Sequence, residues 1–294
     1  MSIVPESFAE RLARNEGETA RAWLATLPAL AEEYIRRWQL RVDGPVMHGC
    51  AGLVLPATRA DGTSVVLKLS IVTPETRDEP LVLATWNGAG AVRLLDSDAE
   101  HGVLLLERLD STRSLLTEPI DDAVRIATGL LRRLAIPAPP GLGRDLRDEA
   151  ERHAAELPAD WQRLGAPFPR KLLDAAVDAC NQLGPNAARL LVNEDLHYEN
   201  VLAGTREPWL VIDPKPLVGD PEFTTLSLIW NRRSESSLDE RFAAIVDGAS
   251  LDADRARAWT LVRAVRNWLD FLATDDLDDD GYFAVQGIAP WAMR

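Results

Sequence analysis

The segment Asn193-Glu194-Asp195-Leu196-His197-Tyr198-Glu199-Asn200, followed by Leu210-Val211-Ile212-Asp213-Pro214, constrains this chain more than any other. Asn200 stands five residues after Asp195, and Asp213 thirteen residues after Asn200. Val201-Leu202 reads as a short strand, Gly204-Thr205 as a turn, and Trp209 to Ile212 as the return strand. A hairpin of that kind brings Asn200 and Asp213 side by side. An amide oxygen and a carboxylate so placed suit a hard cation that takes its remaining ligands from elsewhere.

Phosphoryl transfer from ATP needs such a cation, Mg²⁺, and a carboxylate that orients the attacking hydroxyl. Kinases supply them as Asp-x-x-x-x-Asn and a later metal-binding Asp. Asp195, Asn200 and Asp213 have that order and spacing. The first half offers a matching cation. Lys68 stands inside Val66-Leu67-Lys68-Leu69, an apolar strand where an unpaired ammonium is costly. It therefore needs a partner, and Glu79 on the following predicted helix is the candidate. Gly49 and Gly52 allow either close approach to a phosphate or an ordinary glycine turn. They match neither Gly-x-Gly-x-x-Gly nor the Walker A pattern. Leu104 to Leu109 reads as a strand running into a hinge, where the backbone from Glu107 to Leu109 can meet adenine.

The periodicity divides the chain. A helix is predicted from Pro5 to about Leu40, then short strands to Ile71 with a hairpin turn at Ala60-Asp61-Gly62-Thr63. A helix over Pro74–Trp86 and two more strands, 91–95 and 103–107, follow. Beyond Asp110 the pattern is helical apart from the 198–213 hairpin. The expected fold class is α+β with two lobes. Residues 1–110 form a small β-rich, nucleotide-binding N-lobe that includes the N-terminal helix. Residues 111–294 form a larger, mainly helical C-lobe that carries the catalytic loop, the metal site and the acceptor site. Strands and helices do not alternate, which argues against a doubly wound parallel sheet.

Net charge is −14, which disfavours nucleic acid and anionic membranes as partners and suits a cationic small molecule, although solubility alone also explains it. No apolar run is long enough to span a bilayer, and the first residues lack a signal-peptide pattern. Cys50 and Cys180 are too few for a disulfide scaffold. A cytoplasmic monomer with reduced thiols is expected.

Together these residues resemble the aminoglycoside phosphotransferase superfamily, which shares the protein-kinase fold. Ile212-Asp213-Pro214-Lys215-Pro216-Leu217-Val218-Gly219-Asp220-Pro221 with Leu228-Ile229-Trp230-Asn231-Arg232 is similar to the signature of its streptomycin 6-phosphotransferase and hydroxyurea-resistance kinase group. So is Trp86-Asn87-Gly88-Ala89-Gly90-Ala91-Val92-Arg93-Leu94-Leu95 with Leu106-Glu107-Arg108-Leu109 behind it. The resemblance covers about residues 40 to 235. It implies that Asp195 is the catalytic carboxylate and that Asn200 and Asp213 hold Mg²⁺. It also implies that Lys68, braced by Glu79, meets the α and β phosphates, and that Lys215 lies near them. Asp220 is expected to be structural. The superfamily's usual His-Gly before the catalytic Asp is replaced by Asn193-Glu194.

The implied reaction is transfer from ATP to the streptomycin 6-hydroxyl, which inactivates the antibiotic. Hydroxyurea or another small hydroxyl-bearing metabolite is an alternative acceptor, and a non-catalytic nucleotide-binding protein is a third reading. Streptomycin's guanidinium groups call for carboxylates and an aromatic wall. Glu194, Asp148, Glu149 and Trp230 are the candidates, with the acidic run 275–280, Trp268 and Trp291. Each of these also has an ordinary role available, as a solvated charge or a core aromatic.

Overall fold

The computed structural model describes residues 3–49, 51–277 and 279–294, apart from the side chains of Asn15 and Glu16. Two compact units emerge, Met1–Leu109 and Asp110–Arg294.

The first unit opens with helix α1 (Glu6–Arg37), which contains Pro28 and is interrupted at Gly17, where φ is 62° and ψ is −132°. Six strands among its described residues form one antiparallel sheet. They are β1 (Leu40–Val42), β2 (Met47–His48), β3 (Gly52–Arg59), β4 (Ser64–Ser70), β5 (Leu94–Asp98) and β6 (Val103–Glu107). The order is β1-β3-β4-β6-β5, with β2 also on β3. Phe8, Leu12, Leu27 and Tyr34 of α1 pack with Leu53, Leu67, Leu69 and Leu105 of the sheet in one buried cluster. Side chains alternate along a strand. Once Val65, Leu67 and Leu69 join the core, Lys68 must point to the opposite face.

On that face lies helix α2 (Glu79–Trp86), shorter than the predicted 74–86. Thr73 and Thr76 hold the missing turns. Thr76 Oγ1 donates to the Ile71 carbonyl at 2.6 Å and accepts from the Thr73 amide at 2.9 Å. These side chains offer the backbone an alternative to helix, so α2 starts only at Glu79.

The second unit begins with an unpredicted strand, β7 (Asp110–Ser114). Its sequence, Asp-Ser-Thr-Arg-Ser, has no apolar alternation to read. It pairs with β9 (Val201–Ala203), as does β10 (Trp209–Val211), so the 198–213 hairpin sits in a three-stranded sheet. A second ladder joins β8 (Leu190–Asn193) to β11 (Pro216–Gly219). The helices are α3 (Ile120–Leu134), α4 (Leu146–Arg163), α5 (Arg170–Leu183), α6 (Thr225–Trp230), α7 (Leu238–Ala249), α8 (Ala253–Thr274) and α9 (Asp280–Ala292). α8 is the hub of this unit and touches α4, α5, α6 and α9.

Cys180 is a buried free thiol, its pKa pushed up to about 12 by burial. Cys50 lies outside the described residues. Among the described residues no helix is long and apolar enough to cross a membrane.

Asp220 links the second ladder to α8. Its carboxylate accepts from the Ala188 amide at 2.7 Å, Arg255 Nε at 2.6 Å and Trp259 Nε1 at 2.8 Å, and the residue is buried. Its removal strands a partly buried guanidinium, an indole N–H and a backbone amide that all converge on one buried carboxylate. We expect Asp220→Ala to lower the unfolding free energy by about 3–5 kcal/mol. Urea denaturation followed by circular dichroism checks this, and a change below about 1 kcal/mol would contradict it.

Candidate active site

The β8–β11 ladder pairs Asn193 with Pro216 and so brings the segment after Asp213 back onto the residues before Asp195. The junction is fastened by side chains. Asn193 Oδ1 accepts from two amides, Asp195 at 3.1 Å and Lys215 at 3.0 Å. The Glu194 amide donates to the Lys215 carbonyl at 3.1 Å. From below, Thr224 Oγ1 donates to the Asn193 carbonyl at 2.9 Å and Ser227 Oγ to the Glu194 carbonyl at 2.7 Å. Asn193 thus fixes the loop in this chain by hydrogen bonds of its own, at the position where the wider superfamily carries His. Sequence reading marked Asn193 only as a departure from the superfamily pattern and gave it no role. The available signal was a buried-type position at the end of an apolar strand filled by a residue that can accept two amides.

A single 3-10 turn, Tyr198–Asn200, carries the chain from the loop into β9. Asn200 Nδ2 donates to the Asp195 carbonyl at 3.1 Å, which turns its Oδ1 outward as an acceptor. The Ile212 amide donates to the Asn200 carbonyl at 2.9 Å, so Asp213 sits one residue past Asn200's partner. Asp213 is in the left-handed region, φ 49°, a conformation that Asp tolerates better than most residues. The hairpin therefore brings Asn200 and Asp213 together. Their hard oxygens fit Mg²⁺, which would take its other ligands from water or phosphate. No group of three or more His, Cys, Asp or Glu suited to a metal occurs among the described residues, and a site of this type does not need one.

Asp195 is three-quarters buried, its side chain 26% exposed. Burial raises its pKa and Asp213 adds to the rise, while Lys215, His197 and Arg263 oppose it. Lys215 Nζ is 3.6 Å from Asp195 Oδ2, and His197 Nε2 is 3.9 Å from Oδ1.

Two expected acceptor carboxylates have other work. Arg144 Nη1 donates to Glu194 Oε1 at 2.6 Å and its Nε to Glu149 Oε1 at 2.7 Å. Burial disfavours the Arg144 charge, but Glu194 and then Glu149 outweigh it. Glu194 and Glu149 are thus a buried clamp on one guanidinium. Asp148 is exposed in the first turn of α4, and Trp230 is half-buried with its ring 6.5 Å from Phe271. Trp291 is core, packed on Phe242, and Trp268 stacks on Phe168. In the acidic run, Asp279 caps α9 and Asp278 lies outside the described residues.

In the first unit, Lys68 Nζ donates to both Glu79 oxygens at 2.7 Å, in a pair whose side chains are 8% and 2% exposed. The Glu107 amide is bonded to the Arg93 carbonyl, so it does not serve an adenine acceptor. Leu109 is half-buried at the end of this unit. Gly49 donates to the Gly52 carbonyl, and its own carbonyl takes the Arg11 guanidinium at 2.6 Å. A Cβ at Gly52 would meet Ser70 Oγ at 2.7 Å and the Leu69 carbonyl at 2.8 Å, so strand packing alone requires glycine there.

A family model described as aminoglycoside/hydroxyurea antibiotic resistance kinase matches residues 37–270. The chain belongs to this family. It is therefore a phosphotransferase with a hydroxyl acceptor. It is 43% identical to a streptomycin 6-kinase of Streptomyces griseus over 276 residues, 90% of each chain. It is also 43% identical to a hydroxyurea phosphotransferase of Kitasatospora aureofaciens over 270 residues, 90% of this chain and 79% of that one. Among solved structures it superposes on aminoglycoside phosphotransferase APH(4)-Ia with a TM-score of 0.65 at 16% identity, over 91% of this chain and 98% of that one. The choline kinase LicA from Streptococcus pneumoniae gives 0.59 at 15% identity, over 91% and 99%. The fold is thus protein-kinase-like.

His153 on α4 is buried beside the clamp. Burial first, then Arg266 and Arg152, lower its pKa to about 4 from 6.5. The folded state holds it neutral, so between pH 4 and 6.5 the unfolded chain binds the extra proton and stability rises with pH. The loss on acidification through this window is about 3 kcal/mol, at about 1.4 kcal/mol per tenfold change in proton affinity. Urea titrations at a series of pH values should show His153→Leu flattening this slope. An unchanged slope would show that His153 is not its source.

Proposed function

We propose that this kinase transfers the γ-phosphoryl group of ATP to the 6-hydroxyl of streptomycin and so inactivates the antibiotic. The carrying observation is 43% identity over 90% of the chain to streptomycin 6-kinases of two Streptomyces species. A hydroxyurea phosphotransferase of equal identity supports hydroxyurea as the second acceptor reading. The intact Lys68–Glu79 pair and the Asp195, Asn200 and Asp213 arrangement argue against a nucleotide-binding protein without activity.

In this reading Asp195 accepts the hydroxyl proton of the acceptor. It must be ionised to do so, and Lys215, His197 and Arg263 oppose the rise that burial imposes on its pKa. Asn200 Nδ2 holds the Asp195 carbonyl, so the carboxylate and the ligand oxygen of Asn200 keep a fixed relation. Mg²⁺ on Asn200 and Asp213 would neutralise phosphate charge. In the first unit Lys68, braced by Glu79, meets the nucleotide phosphates. The backbone from Glu107 to Leu109 is the proposed partner of adenine. Gly49 and Gly52 shape the turn near the phosphates. Of the proposed acceptor residues, Asp148 and Trp230 keep surface for a ligand, whereas Glu194 and Glu149 neutralise Arg144. Working in the cytoplasm fits a chain with an ATP requirement and no membrane-crossing helix among its described residues.

The test incubates the protein with ATP, Mg²⁺ and streptomycin, hydroxyurea or a deoxystreptamine aminoglycoside, and reads products by mass spectrometry. One added phosphoryl group raises the streptomycin mass by about 80 Da. Asp195→Asn should lower turnover by about 10²–10⁴-fold. A mass gain on hydroxyurea alone would overturn the streptomycin assignment and leave the kinase.

A further inference from the structure

We infer that Lys215 is a further catalytic residue, held against Asp195 by Asn193, and that its ammonium meets the phosphoryl group as it passes to the acceptor. This rests on the phosphotransferase reading and adds a second catalytic side chain to it. The observation is a clasp. One atom, Asn193 Oδ1, accepts from the amides of both Asp195 and Lys215, while the Lys215 carbonyl accepts from Glu194. The two backbones therefore cannot drift apart without breaking a shared hydrogen bond. Lys215 also stands between Pro214 and Pro216, both buried, whose rings fix φ on either side. A lysine needed only for solubility has no use for such restraint.

Two cations, Lys215 and Arg263, and the His197 ring face Asp195, and they differ in what they can reach. Arg263 Nη1 donates to the Phe223 carbonyl at 2.9 Å and to Ser227 Oγ at 3.2 Å, and its guanidinium lies 5.0 Å from the Phe223 ring centre. It is a supporting charge beneath the loop. The His197 side chain is 17% exposed. The Lys215 side chain is 34% exposed, with its ammonium 3.6 Å from Asp195 Oδ2. It is the cation with both contact to the carboxylate and surface left for substrate.

The chemistry at that position needs a positive charge. A lone pair of the acceptor oxygen forms the new O–P bond as the hydroxyl proton passes to Asp195. The bond from the γ-phosphorus to the bridging oxygen breaks, and its electron pair leaves with ADP. The transferring group carries negative charge on its three equatorial oxygens throughout. It approaches the oxygen that Asp195 orients, so it arrives beside Lys215. A fixed ammonium offsets repulsion between the Asp195 carboxylate and that group. It does so without reorganising, and charges of this kind act mainly on kcat.

The experiment measures kcat and KM for ATP and acceptor, with thermal melting, for wild type, Lys215→Met, Lys215→Arg and Asn193→Ala. Lys215→Met should lower kcat about 100-fold with both KM values within about threefold and an unchanged melting temperature. Lys215→Arg should recover about tenfold of that loss, because it restores the charge but not the compact shape. Asn193→Ala should lower kcat about tenfold by loosening the clasp. The proposal is overturned if Lys215→Met keeps kcat within about threefold of wild type, or if Met and Arg variants lose activity equally as melting falls. Each value is a ratio to wild type on whichever acceptor wild type phosphorylates, so loss of the streptomycin assignment leaves the comparison standing.

Discussion

The antiparallel register of β8 and β11 is the constraint on which the second unit depends. Four pairs, Pro216↔Asn193 to Gly219↔Leu190, set which residues lie opposite one another. A slip of one residue would turn every side chain to the other face. Asn193 would then no longer aim its amide at the loops, and Asp220 would leave Arg255 and Trp259. The ladder is short, so it is pinned from outside. A Cβ at Gly219 would meet Leu146 Cβ at 2.7 Å, so α4 packs directly onto the backbone there. Asp220 and Thr224 hold the segment that follows.

Charge is managed differently in the two units. In the first, one buried ammonium meets one carboxylate, Lys68 with Glu79, on the sheet face opposite the α1 core. Such a pair gains little net stability over apolar packing, and it survives only when geometry is good. In the second unit, charges form a chain in the order Asp195, Lys215, Glu194, Arg144, Glu149. Signs alternate along it, so desolvation at each member is offset by a neighbour. Removing an inner member uncovers charge on both sides.

What the sequence made legible was local. Asp195, Asn200 and Asp213 could be read because a tight hairpin fixes their relation within nineteen positions. Lys68 stood out because an ion in an apolar strand is anomalous, and its partner lay one helix away. What stayed hidden was long-range or polar. Arg144 lies fifty residues from Glu194, and nothing in either neighbourhood announces the pair. β7 has no apolar face, so its pairing with β9 comes from the sheet edge it meets. α2 was overextended because hydroxyl competition from Thr73 and Thr76 is invisible to periodicity. Asn193 was noted without a role because its value lies in two amides brought together only by the ladder.

The left-handed backbone at Asp213 has an evolutionary consequence. At φ 49° the position admits few residues easily, chiefly Gly, Asn and Asp. Of these only Asp brings a carboxylate to the ligand position. Both other tolerated residues are a single nucleotide change away from either Asp codon. The gene therefore stands one step from a protein that keeps its fold but has lost the carboxylate proposed to hold Mg²⁺.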